Sequence, residues 1–318
     1  MSESASRLRI HAITHGGADV LLFDLRSPTG ETLAPFTPGA HIDLRLDDGM
    51  VRSYSLLNDS RDRHRYVIAV KHEATSRGGS RWMHGSAKVG TLVDVVAPQN
   101  AFHLDEAAPC SVLIAGGIGI TPLWSMVQRL SHLGKPWQLH YRTRSKAATP
   151  LLAELSEPAF LAHMKLSFSD DPNSGRLELQ AIVADAPAGS HYYCCGPQKM
   201  IDAFEVACVG LEPERVHLER FSSTEAPATE GGYTVTLAKS AREVPIPAGK
   251  TILEMLSSLG VAVPSSCQQG VCGSCETRVL AGTPDHRDLV LSESEKASGQ
   301  MMMICCSGSL SERLVLDL

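Results

Sequence analysis

The sequence predicts three folded segments of different class. These are a small antiparallel β-barrel over residues 1–105, an α/β parallel sheet over 106–222, and an α+β segment over 232–318, with a linker at 223–231. Three observations predict this. Short alternating apolar pieces separated by turn residues fill the first third. Continuous apolar runs alternate with helical patterns in the second. In the last, a cysteine-rich loop follows a hairpin and a helix. A length of 318 residues suits two or three domains, and 43% hydrophobic residues can supply a core for each.

In the first segment the alternating pieces are residues 20–25, 41–46, 66–71 and 91–96, with turns at Pro35-Phe-Thr-Pro-Gly39 and Asp47-Asp-Gly49. A further barrel strand should carry Arg52-Ser-Tyr-Ser55, and a short helix is expected over 80–87. The second segment begins with an unbroken apolar strand at 111–115 that ends in glycines, then a helix at 122–133 and a strand at 137–141. Elements at 151–155, 164–169, 177–184, 191–195, 198–209 and 215–218 continue the alternation. Parallel strands need such crossover helices between them. Residues 222–230 lack large apolar side chains and read as a flexible linker. The third segment opens with a hairpin at 233–237 and 242–246, then a helix over 251–259.

A net charge of −6 and a pI of about 6.1 argue against a nucleic-acid partner. No apolar run is long enough to span a bilayer, and Met1-Ser-Glu-Ser-Ala-Ser lacks the basic-then-apolar pattern of a signal peptide. A cytoplasmic protein is therefore expected. The nine cysteines cluster in a way that suits a metal site better than a disulfide framework.

Cys267-Gln-Gln-Gly-Val-Cys272-Gly-Ser-Cys275 has the spacing C-x4-C-x2-C, and Cys305 follows after 29 intervening residues. Three thiolates on one loop and a distant fourth form the plant-type ligand pattern of a [2Fe–2S] cluster. Gly270 and Gly273 allow the backbone to approach the inorganic sulfides. Structural zinc usually takes two short cysteine pairs, and only one C-x2-C is present. Cys110, Cys194, Cys208 and Cys306 read as buried small hydrophobes.

Arg52-Ser-Tyr-Ser55 offers an arginine for a phosphate, a ring to cover an isoalloxazine or ribityl chain, and the Ser55 hydroxyl for a flavin edge. By itself the pattern is equally that of an exposed strand. Gly78-Gly-Ser80 precedes the expected helix, with Ser80 as N-cap, and would cradle a phosphate; a plain helix cap has the same residues. Gly116-Gly-Ile-Gly-Ile-Thr-Pro122 is neither a Walker loop nor G-x-G-x-x-G. Its three glycines, Gly116, Gly117 and Gly119, would bring amides to a pyrophosphate, with Thr121 capping the helix and Pro122 at its first position. Cys195-Gly196-Pro197 ends a strand of the parallel sheet, where ligands bind, and the thiol reads as a polarisable contact to a nicotinamide rather than a nucleophile.

In this order, R-x-Y-S, G-G-S, G-G-I-G-I-T-P, C-G-P and C-x4-C-x2-C…C resemble phthalate dioxygenase reductase and the reductase subunit of vanillate O-demethylase. The resemblance covers essentially the whole chain; Pro284-Asp-His-Arg-Asp288 and Leu314-Val-Leu-Asp-Leu318 also match. It implies a flavin barrel, a nicotinamide domain and a C-terminal β-grasp ferredoxin domain. It assigns Arg52, Ser53, Tyr54 and Ser55 to the flavin, with Ala69, Val70 and Lys71 beside it, and Gly78, Gly79 and Ser80 to its phosphate. Phe221 would cover the flavin ring, so that Ser55, Cys195 and Phe221 meet at the reacting centre. G-G-S favours FMN over FAD. Asp170 and Asp171 would read the adenosine ribose of NADH, and Arg142 and Arg144 its pyrophosphate or adenine, although both arginines are equally read as solvated charges. Cys305 fits the family's C-x-S position as fourth ligand, with Cys306 the alternative. The implied reaction carries hydride from NADH to the flavin and single electrons through the cluster to a terminal Rieske non-haem iron oxygenase. A monomer is expected. Two alternatives share motifs with this reading: a stand-alone NADH diaphorase or flavin reductase, and a non-enzymatic iron–sulfur redox sensor.

Overall fold

The computed structural model describes residues 5–46, 50–74, 78–223 and 225–318; the turn expected at Asp47–Gly49 lies outside them. The chain forms two compact units, Met1–Arg220 and Phe221–Leu318.

The first unit begins with a six-stranded antiparallel sheet made of β1 (Ser6–Gly17), β2 (Val20–Arg26), β3 (His41–Arg45), β4 (Val51–Ser55), β5 (Tyr66–Lys71) and β6 (Leu92–Val95), in the order β4-β3-β6-β1-β2-β5. Alternation sets which face is buried: Ile10, Phe23, Leu25, Ile42, Leu44 and Ile68 all point inward and are fully covered. Two register shifts in β1 bend that long strand. The edges then meet, because a bridge joins Leu56 to Ile68 and the Leu57 N–H donates to the Val67 carbonyl at 3.0 Å. Closure brings β4 alongside β5.

The parallel sheet follows, with β7 (Ser111–Gly116), β8 (Trp137–Thr143), β9 (Met164–Phe168), β10 (His191–Cys195) and β11 (Val216–Glu219) in the order β11-β10-β7-β8-β9. Every residue of β7 is buried, as a central strand covered on both faces must be. Helix Ile120–Leu133 crosses from β7 to β8 and ends on Gly134 in the left-handed conformation (φ 64°). Its face Ile120, Leu123, Trp124 and Val127 packs in one apolar core with Val20, Leu57, Ala69 and Phe102 of the barrel. Barrel and sheet thus share one core, fastened at the surface by Gln128 Nε2 donating to the Leu57 carbonyl at 2.8 Å.

The second unit holds a mixed sheet in the order β13-β12-β18-β14-β16, from β12 (Tyr233–Leu237), β13 (Arg242–Ile246), β14 (Glu276–Ala281), β16 (Met301–Met303) and β18 (Arg313–Leu316). A small pair, β15 (Pro284–Asp285) and β17 (Gly308–Ser309), flanks it. β12 and β18 run parallel at its centre. Helix Ile252–Ser258 starts in a capping box in which Thr251 Oγ1 accepts from Glu254 N–H and the Glu254 carboxylate accepts from Thr251 N–H. It buries Ile252, Leu253 and Leu256, each contributing roughly 2 kcal/mol.

The segment expected as a flexible linker is partly ordered into this unit. Ala228 is buried, its N–H donates to the Cys306 carbonyl at 2.7 Å, and Thr229 accepts from Gly249 N–H at 2.8 Å. Ala228 Cβ occupies the space a side chain on Gly308 would need. Among the described residues no helix is long and apolar enough to cross a membrane.

Candidate functional site

The β4–β5 closure gathers the residues read as a flavin cradle. Arg52 is anchored by Nη1 donating to the Val51 carbonyl at 2.7 Å. Gly79 lies directly against its stem, because a Cβ there would stand 2.6 Å from Arg52 Cγ. Gly78 leads into the helix Gly79–Gly85 at φ 99°, a conformation that glycine alone adopts cheaply. Ser80 is not the N-cap expected of it: the helix starts at Gly79, and Ser80 Oγ instead accepts from the Glu73 N–H at 3.2 Å. Ser53 lies beside Arg52 on β4. Tyr54 next to it is half-buried, and that burial pushes its phenol up to about 12, so it stays neutral. Ala69 and Val70 are buried on the neighbouring β5, and Lys71 at its end pairs with Glu73 at 2.5 Å.

At the C-terminal edge of the parallel sheet the glycine loop divides its work. A Cβ on Gly116 would lie 2.6 Å from Pro197 Cδ, and one on Gly119 would overlap the Cys195 carbonyl. These two glycines let the loop pack onto Cys195-Gly196-Pro197. Gly117, at φ 55° with open space where a Cβ would sit, does not pack against that segment. Thr121 and Pro122 also depart from expectation. A 3-10 turn, Gly117–Gly119, precedes the helix, whose cap is Gly119, so Pro122 is its third residue. Thr121 Oγ1 donates to the Ile118 carbonyl at 3.0 Å and caps nothing. Proline fits there because first-turn amides have no helical acceptor.

Further along this edge, Arg142 donates from Nη1 to the Gly175 carbonyl at 2.8 Å and is partly covered, whereas Arg144 is exposed. The Asp170 N–H donates to the Arg144 carbonyl at 3.0 Å, which sets these residues side by side. Asp171 accepts from Asn173 N–H at 2.9 Å in a turn, and both aspartates are exposed.

One residue escaped the sequence reading. Glu219 ends β11 in register with Cys195 of β10. Its Oε2 is sealed from water without a hydrogen-bond partner, and Ser55 lies near enough to offset part of what that burial does to the carboxyl group. Burial, only partly opposed by Ser55, raises its pKa to about 8. The Cys195 thiol is pushed well up, first by burial and then by Glu219, and so remains protonated. Ser55, Glu219 and Cys195 therefore form one neutral, proton-holding junction between barrel and sheet. The signal available in the sequence was an acid at the C-terminal end of a parallel strand. Phe221, the third residue read as part of the reacting centre, opens the second unit and is 39% exposed.

In the second unit the ligand cysteines converge in pairs. Cys267 and Cys272 lie within hydrogen-bonding reach of one another, as do Cys275 and Cys305. Within each pair the sulfur–sulfur contact pushes one thiol up and holds the other down. Cys275 and Cys305 are core residues, while Cys267 and Cys272 are half-buried. Gln268, Gly270 and Gly273 all take positive φ (55°, 68° and 77°), which curls the loop around its sulfurs; for Gln268 this costs of order 1 kcal/mol. Ser274 Oγ accepts from Cys272 Sγ at 3.4 Å, and the Gln269 N–H donates to Cys267 Sγ at 3.3 Å. Two sulfur pairs with amides turned toward them fit a binuclear cluster, two thiolates per iron. Cys306 also lies within reach of Cys305, but its Sγ donates to the Met303 carbonyl at 3.7 Å and packs against Gly270.

Residues 235–308 match the 2Fe-2S iron-sulfur cluster binding domain family. The chain is 65% identical to phenoxybenzoate dioxygenase subunit beta of Ectopseudomonas oleovorans over 98% of its length and 97% of that protein. It is 46% identical to tetrachlorobenzoquinone reductase of Sphingobium chlorophenolicum, over 98% and 97%. The solved structure of phthalate dioxygenase reductase, described as a modular structure for electron transfer from pyridine nucleotides to [2Fe-2S], superposes with a TM-score of 0.81 at 38% identity and covers 99% of this chain and 98% of that one. In Burkholderia cepacia the protein of that name is 38% identical over 98% and 97%.

Proposed function

The chain belongs to the phthalate dioxygenase reductase family of flavin and [2Fe–2S] oxidoreductases, and on that premise we propose that it draws electrons from NADH through FMN and delivers them singly to a Rieske-type aromatic-ring oxygenase. The observation that carries this reading is that one chain holds both the Ser55–Glu219–Cys195 junction and the paired thiols Cys267/Cys272 and Cys275/Cys305. When bound, the flavin converts two-electron into one-electron chemistry and the cluster carries one electron at a time.

The chain's own residues supply binding and orientation. Arg52 and the Gly78-Gly79-Ser80 turn take the flavin phosphate at one end of the cradle. Ser55, next to Glu219, would face the flavin edge, and Glu219 keeps a proton at its carboxyl below about pH 8. The protonated Cys195 would present a neutral, polarisable sulfur to the nicotinamide ring, and the ring of Phe221 is the one that would cover the flavin. Gly117 receives the pyrophosphate with Arg142 and Arg144, and the exposed Asp170 and Asp171 meet the ribose hydroxyls, where a carboxylate repels a 2′-phosphate. The segment expected as a linker, 223–231, would tether the ferredoxin domain. The full-length similarity to a phenoxybenzoate dioxygenase subunit supports an oxygenase acting on a diaryl ether or related aromatic acid.

A second reading, direct reduction of a quinone without an oxygenase, is favoured by the similarity to tetrachlorobenzoquinone reductase. Stopped-flow mixing with NADH tests the first. The flavin absorbance should bleach before that of the cluster, and added oxygenase should reoxidise the cluster faster than added quinone does. Cluster reduction in flavin-free protein would sink the scheme, and preferential reoxidation by quinone would select the second reading. Heat release of the flavin and its chromatography separate FMN from FAD.

A further inference from the structure

Asp288 is buried to 1% exposure in the second unit and has no part in the ligand set. Its Oδ2 accepts from the Leu291 N–H at 2.8 Å and the Val290 N–H at 3.2 Å, and its Oδ1 accepts from Ser307 Oγ at 3.5 Å. Both oxygens of the carboxyl group accept hydrogen bonds. The backbone of the same segment ties down both ligand-bearing stretches. The Leu289 N–H donates to the Gly270 carbonyl at 2.9 Å, inside the loop between Cys267 and Cys272. The Arg287 N–H donates to Ser307 Oγ at 3.2 Å, two residues beyond Cys305. Asp288 itself backs the ligand loop, since a Cβ on Gly270 would stand 3.0 Å from Asp288 Cα and 3.2 Å from its Cβ. His286 Nδ1 is 3.6 Å from Oδ1, beyond hydrogen-bonding distance, and neither ring nitrogen has a hydrogen-bond partner.

From this we infer that Asp288 is a positioning and potential-setting residue for the cluster: a fixed buried carboxylate, strapped between the two ligand segments, that holds the cluster's reduction potential down. The inference rests on the [2Fe–2S] reading of the site. Its physical basis is that reduction adds a negative charge to the cluster, and a neighbouring anion in a poorly solvated setting opposes that addition. The Ser307 hydroxyl dipole, which points its hydrogen at Oδ1, offsets part of that field. The two residues therefore act with opposite sign.

The test is a redox titration of the purified full-length holoprotein, following the cluster by visible absorbance and EPR. Asp288→Asn removes the charge and keeps the shape, and its midpoint should rise; a shift on the order of 59 mV is a tenfold change in a one-electron equilibrium. Ser307→Ala leaves the carboxylate without its hydroxyl donor, and its midpoint should fall. A merely structural loosening moves both variants in one direction, so shifts of the same sign overturn the inference, as does an unchanged midpoint in Asp288→Asn at full iron content. If Asp288→Asn loses its cluster, a fall in the Ser307→Ala midpoint supports the inference and no fall overturns it. Wild-type protein lacking the cluster's absorbance and EPR signal would instead refute the underlying cluster reading.

Discussion

Replacing Glu219 by glutamine should make the first unit more stable, and the gain should depend on pH. The carboxyl group has an ordinary value of 4.5 and about 8 in the folded chain, raised by burial. Between those values the folded protein holds a proton that the unfolded chain has released. Stability therefore falls as pH rises through this window, by about 1.4 kcal/mol per pH unit, and the loss is complete above about pH 8. Glutamine is neutral throughout and preserves the shape, so Glu219→Gln escapes the loss. From pH 6 to pH 9 the advantage of the variant should grow by at most about 3 kcal/mol. For a unit of this size that is roughly 6–12 °C in Tm. Calorimetry of both proteins at pH 6, 7, 8 and 9, reading the transition of the flavin-bearing unit, measures it. A gap between variant and wild type that stays constant with pH would refute the buried-acid argument. The same protonation predicts that wild-type flavin reduction by NADH slows above about pH 8 and that the variant loses this alkaline limb.

Other residues give sharper yes-or-no outcomes. Gly119→Ala drives a methyl into the Cys195 carbonyl and should cost about 1–3 kcal/mol as well as most NADH-dependent flavin reduction, read by calorimetry and stopped flow. Cys305→Ser should abolish the cluster's visible absorbance and iron content, whereas Cys306→Ser should keep both. Arg52→Ala removes charge-assisted contacts to a phosphate and should weaken flavin binding by about 10- to 100-fold, measured by fluorescence titration. Asp170→Ser combined with Asp171→Ser should lower the KM for NADPH relative to NADH, and an unchanged ratio would exclude these carboxylates as the ribose readers.

What the sequence revealed and what it hid follow from the range of the forces involved. Tyr66–Lys71, His191–Cys195, Tyr233–Leu237 and Arg242–Ile246 fall where alternation or unbroken apolarity places them, because burial of one or both faces is written in consecutive residues. The cysteine spacing was legible for the same reason: a loop of nine residues carries three ligands. The length of β1 and the strands β14, β16 and β18 were not read, since their pairing joins residues far apart in the chain. Glu219 was missed because its character comes from burial against strands and loops that are distant in sequence. The helix starts at Gly79 and Ile120 lie a residue or two before their expected places because glycines, not the hydroxyl side chains of Ser80 and Thr121, lead the chain into both helices.

The interlocking of Gly116 and Gly119 with Cys195-Gly196-Pro197 limits how this enzyme can be redesigned. The two loops come from different strands, yet each occupies the volume the other would need for a side chain. They form a single cassette, and exchanging one loop with a relative while keeping the native other invites collision. Efforts to change coenzyme preference should therefore transplant both loops together or leave both alone. Diversity is better concentrated on Arg144, Asp170 and Asp171, which are exposed and can be varied without disturbing that lock.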